Sequence, residues 1–72
     1  MWSNNQSVIQ TYTTFHTENA WANISGLGWR KIRTGNQDGI TNTFALLCAA
    51  KANGRSVNVY IVDNLIERVY LN

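Results

Sequence analysis

Residues 29–62 read WRKIRTGNQDGITNTFALLCAAKANGRSVNVYIV, and the way this stretch divides sets the architecture. Its opening, WRKIRT, predicts a strand over 29–34. Gly35-Asn36-Gln37-Asp38-Gly39 is a dense cluster of chain breakers and reads as a loop. Residues 40–53 read as a helix, because Phe44 to Ala50 is a run of strong helix formers. Asp38 or Thr41 offers the short side-chain oxygen that caps a free backbone N–H at a helix start. Gly54 suits the left-handed residue that ends a helix. Residues 56–62 alternate, with Val57, Val59 and Ile61 on one face and Asn58, Tyr60 and Val62 on the other, which predicts a second strand.

Strands extend on both sides of this unit. Residues 7–16, SVIQTYTTFH, are rich in the β-branched and aromatic types that suit a pleated, half-buried surface. After the polar Thr17-Glu18-Asn19 turn, residues 20–25 alternate, with Ala20, Ala22 and Ile24 on one face and Trp21, Asn23 and Ser25 on the other. Gly26-Leu27-Gly28 makes a turn into the strand at 29–34. Asp63-Asn64 is a hairpin-turn candidate, and residues 65–71, LIERVYL, form a last strand. Residues 1–6 are polar apart from Met1 and Trp2 and read as a loose arm. The resulting order, β-β-β-α-β-β, is that of a five-stranded OB barrel with one helix, all-β otherwise. The 72 residues make a single domain, 1–72.

A domain this short buries a modest share of its surface and needs support from disulfides, metal or partners. Cys48 is the only cysteine, so no internal disulfide forms, and the lone His16 beside it gives no structural zinc site. Oligomerisation remains. The helix points the same way: Ile40, Phe44, Leu47 and Cys48 fall on one side, while Ala45, Leu46, Ala49 and Ala50 occupy much of the rest. A surface helix normally carries polar residues opposite its apolar stripe. Ala45, Leu46, Ala49 and Ala50 are therefore the expected contact with sister copies. Only 14% of residues are charged, against the usual quarter, so large areas can be covered by partner protein.

Catalysis requires a nucleophile, a base and an orienting group that meet in space. Cys48 lies in an apolar helical run and reads as a small buried hydrophobe. His16 stands alone at a strand end, and Glu18, Asp38, Asp63 and Glu67 are scattered. No phosphate loop, metal spacing or Ser-His-Asp pattern occurs, so neither enzyme activity nor a cofactor or metal is expected. No stretch is long enough for a transmembrane helix, so membrane insertion is not expected either.

The stretch 43–62, TFALLCAAKANGRSVNVYIV, together with the ending LIERVYL, resembles the B subunits of bacterial toxins that carry five B subunits, above all the Shiga-toxin type. The length and strand order agree with that family. The resemblance implies a homopentameric ring whose helices line a central pore and whose strands pair across neighbours. It implies binding to host-cell glycans and room for an enzymatic A subunit on the pore face. It also implies a secreted or periplasmic protein whose leader has been removed. The chain departs from the pattern in three places. The family's common intrachain disulfide is absent. The position of its tryptophan before the helix is held by Thr41. Its acidic loop corresponds to Thr17-Glu18-Asn19, where only Glu18 is acidic.

A sugar site needs an aromatic ring for the hexose face and hydrogen-bonding groups beside it, commonly on loops held by a scaffold. Trp21 neighbours the 16–19 turn and Trp29 adjoins the glycine turn. The expected glycan contacts are therefore Thr17, Glu18, Asn19, Trp21 and Trp29. Two other readings stay open. An OB-fold binder of single-stranded nucleic acid would stack bases on Tyr12, Phe15 or Trp21 and track phosphates with Arg30, Lys31 and Arg33. A structural or inhibitory interaction protein would use the same barrel without a small ligand. The net charge of only +2 speaks against nucleic acid.

Overall fold

The computed structural model describes residues 1–15 and 18–72, leaving out 16 and 17. Five strands and a helix follow in the expected order: β1 (Trp2–Thr13), β2 (Ala20–Ile24), β3 (Gly28–Ile32), α1 (Gln37–Asn53), β4 (Ser56–Val62) and β5 (Leu65–Leu71). The strands close into a barrel in the order β1-β2-β3-β5-β4. All pairings are antiparallel except β3 with β5, which run parallel over Lys31↔Leu65 and Ile32↔Ile66. This is an OB-type barrel.

Residues 2–6, expected as a loose arm, are the first part of β1. The strand pairs with β4 from Trp2↔Tyr60 to Ser7↔Ser56 and with β2 from Val8↔Ile24 to Thr13↔Ala20. Irregular register between Ser3 and Gln6 and between Val8 and Gln10 bends it from one neighbour to the other, as bulges do. Asn5, at φ 56°, takes the left-handed turn that asparagine tolerates. The arm is held because the Trp2 ring packs on Tyr60 at 5.0 Å and stacks on Tyr70 at 5.3 Å. The terminal ammonium of Met1 also donates to the Ile61 carbonyl at 2.9 Å, and the Ile61 N–H donates to the Met1 carbonyl at 2.8 Å. At its other end β1 stops at Thr13 rather than at 16, and Phe15 is almost wholly exposed.

The helix begins at Gln37, three residues before the expected start. Asn36 is the cap, in place of Asp38 or Thr41: its Oδ1 accepts the Gly39 N–H at 2.8 Å. Asp38 lies in the first turn, where its charge faces the positive end of the helix dipole. Gly54, at φ 63°, ends the helix as expected, with the Arg55 N–H returning to the Ala50 carbonyl at 2.9 Å. No helix among the described residues is long and apolar enough to cross a membrane.

The core lies between the inner barrel wall and one side of α1. Ala22, Ile24, Val57, Val59 and Ile66 line the wall, and Leu47 plugs it from the helix, all at 0% exposure. Ala50, expected at a subunit contact, is 1% exposed and belongs to this core. It sits one turn beyond Leu47, and its small side chain lets the helix backbone lie close to the strands. The expectation that α1 lacks a polar face holds only for its middle. Gln37, Asp38, Thr41 and Asn42 at the start and Lys51 and Asn53 at the end are exposed, whereas Ala45 is exposed and Leu46 and Ala49 are half-buried between them.

Candidate functional site

Strand register decides which side chains look outward from β2 and β3. Ala22 and Ile24 face the core, so Trp21 and Asn23 face solvent. Across the ladder Trp21 pairs with Lys31 and Asn23 with Trp29. The two indoles thus sit diagonally on one face, within reach of a single ligand. Trp29 is 43% exposed and Trp21 half-buried. Tyr12 of β1, in register with Trp21, continues the aromatic row and is exposed.

The β4–β5 turn closes one side of this face. Asp63 and Asn64 both adopt left-handed backbone, at φ 53° and 64°, which gives the tight hairpin whose twist matches its strands. Asn64 and Leu65 then meet Trp21, Trp29, Arg30 and Lys31 around an open depression of about 490 Å³. The Lys31 ammonium lies 5.9 Å from the centre of the Trp21 ring, in cation–π range. An indole face takes the C–H side of a sugar ring or the flat of a base, and the Asn64 amide and the Lys31 ammonium beside it are hydrogen-bond donors.

Trp21 and Trp29 are therefore brought together, but Glu18 and Asn19 do not line their depression. Glu18 turns toward the start of α1, where its carboxylate accepts the Gly35 N–H. Glu18 and Asn19 line a different depression of about 230 Å³, with Thr13, Gln37 and Thr41. Asn19 is engaged on every side. Its Oδ1 accepts the Trp21 indole N–H at 2.9 Å, its Nδ2 donates to Thr14 Oγ1 at 2.9 Å, and its carbonyl accepts from Thr13 Oγ1 at 2.9 Å. Through that bond it orients the indole. Thr17 and His16 lie outside the described residues.

Asn64 was not expected beside the indoles, and Lys31 was expected with Trp21 only in the nucleic-acid reading. Lys31 is legible from even spacing, since 21 and 23 on one strand and 29 and 31 on the next share a face. Asn64 is brought in only by tertiary closure. Arg33 is drawn away from this face by its ion pair with Glu67.

A third depression, about 370 Å³, lies by the start of α1 and is lined by Arg33, Asn36, Thr43 and Glu67 among others. Its charged groups are already engaged with each other. Among the described residues no three His, Cys, Asp or Glu side chains are grouped to hold a metal ion. Comparison with protein-family models, with curated proteins and with solved structures returned no match.

Proposed function

We propose that the chain is a non-catalytic binding subunit that recognises host-cell glycans and assembles into a ring of five, in the manner of toxin B subunits. The observation that carries the reading is the pair of indoles, Trp21 and Trp29, on the outward face of β2–β3 beside the β4–β5 turn. In OB barrels the face of strands 2 and 3 and the loops 1–2 and 4–5 take oligosaccharides and oligonucleotides. Ring assembly draws on Ala45, Leu46 and Ala49, the small and apolar residues at the outer middle of α1, and on the short chain's lack of any internal crosslink. The number five, the secreted or periplasmic location and an enzymatic A subunit as further partner rest on the resemblance of residues 43–62.

A glycan array with the purified protein, paired with native mass spectrometry, tests the two halves. The expected result is saccharide binding by an assembly of five copies of the 8.1 kDa chain. An empty array would overturn the glycan half, and a monomer at micromolar concentration would overturn the ring.

Single-stranded nucleic acid is the second reading, favoured by Tyr12, Trp21 and Lys31 sharing one row. It is the weaker one, because Arg33 is neutralised by Glu67 and leaves a short cationic track. A salt-sensitive gel shift with a single-stranded oligonucleotide, in place of array binding, would favour it.

A further inference from the structure

The ring surface on the outside of the barrel continues past the indole depression onto β1. Thr11 and Thr13 pair with the core residues Ala22 and Ala20, so Gln10 and Tyr12 point outward together with Asn23 and Trp21. Two rungs therefore cross three strands on this face. One runs Tyr12, Trp21, Lys31, and the other runs Gln10, Asn23, Trp29. Tyr12 is 52% exposed and Trp29 43%, so an open ring stands at each end, with the half-buried Trp21 between them.

Beside the rings the face carries amides rather than aliphatic side chains. Asn23 Nδ2 donates to Gln10 Oε1 at 3.2 Å, next to the Tyr12–Trp21 pair, and the Asn19 bond holds the middle ring in one orientation. Rings framed by amides suit a chain of hydroxylated rings, since each floor takes a C–H face and the amides take hydroxyls. Outward side chains directly opposite on neighbouring strands stand about 5 Å apart, and diagonal ones about 7–8 Å. Successive units of an oligosaccharide follow one another at comparable intervals, so one sugar covers one floor and leaves the next open.

We infer that the bound glycan is an oligosaccharide, and that Tyr12 with the Gln10–Asn23 amide pair forms a further subsite for it beyond the depression. One unit lies on Trp29 beside Asn64, the chain crosses Trp21, and a later unit lies on Tyr12. A monosaccharide would fill the depression alone and leave Tyr12 uncovered. The inference rests on the glycan reading proposed above and adds the length of the ligand to it.

The test uses the intact protein and an array of lactosamine, oligomannose and hyaluronan glycans, each printed as monosaccharide, disaccharide and tetrasaccharide, with calorimetry on the series that binds. The tetrasaccharide should bind about tenfold more tightly than the disaccharide, as expected for one more stacked ring. Tyr12→Ala should bring the tetrasaccharide back to the level of the disaccharide and leave the disaccharide within about twofold. Tyr12→Phe, which keeps the ring, should retain the gain from length. Gln10→Ala, at the same subsite, should weaken only the tetrasaccharide and serves if Tyr12→Ala misfolds. Equal affinity for disaccharide and tetrasaccharide overturns the inference while leaving the glycan reading intact. So does a folded Tyr12→Ala protein that keeps the parent tetrasaccharide affinity, or that loses both lengths alike. An empty array overturns the glycan reading and this inference together. Binding of a single-stranded oligonucleotide in its place, weakened by Tyr12→Ala, does the same and assigns the row to bases.

Discussion

Two neighbouring residues with similar side chains do different work at the start of the helix. Asn36 accepts the Gly39 N–H and caps α1, whereas Asp38, two residues later, contributes only its charge to the first turn. Asn36→Ala should cost about 1 kcal/mol in urea denaturation, and Asp38→Ala only about 0.5 kcal/mol. The reverse order would refute the cap assignment. The sequence could not separate them, because both are short oxygen-bearing residues in one breaker cluster. Backbone dihedrals decide, and Asn36 is extended at φ −149°. At the candidate site, by contrast, Trp21 and Trp29 were legible from residue type and from their places beside turns. The place of Asn64 beside them was not, since the β4–β5 turn reaches β2 and β3 only through closure of the barrel.

At the scale of elements, the helix and four strands follow from local pattern, and β1 does not. Its first half, Trp2 to Ser7, carries Ser, Asn and Gln, which have low strand propensity and no alternation. It is a strand because tertiary contacts hold it: Trp2 between Tyr60 and Tyr70, and Met1 bonded to Ile61. Trp2→Ala should therefore lower stability by about 1–3 kcal/mol from lost ring packing and burial. A truly loose arm would show no change in the denaturation midpoint. The last strand hides a similar tertiary effect. Ile66 is fully buried and Val69 packs against the core three residues later, although strict alternation puts them on opposite faces. The register shift between Tyr60 and Ile61 inserts an extra β5 residue at Glu67, which restores the inward face. Within the helix, Leu47→Ala should cost about 2–5 kcal/mol because that side chain is wholly enclosed by the barrel wall.

For the whole molecule, the division of the helix alanines separates folding from assembly. Ala50 is enclosed in the core of one chain, while Ala45 and Ala49 are at least partly open to partners. Ala49→Glu and Ala45→Glu should release monomers that keep the parent circular-dichroism spectrum, whereas Ala50→Glu should unfold the chain. An Ala49→Glu and an Ala45→Glu protein that both kept the parent assembly mass would remove α1 from the interface. The proposed glycan site is independent of that outcome, because its indoles stand on β2 and β3 within a single chain. The three tryptophans make the claim directly measurable, since Trp2 stands on the β1–β4–β5 wall as an internal control. Titrating the strongest array ligand into ¹⁵N-labelled protein and following the three indole N–H resonances is the most direct test. The signals of Trp21 and Trp29 should move together while that of Trp2 stays in place. Movement of Trp2 alone, or of none of the three, would contradict the account.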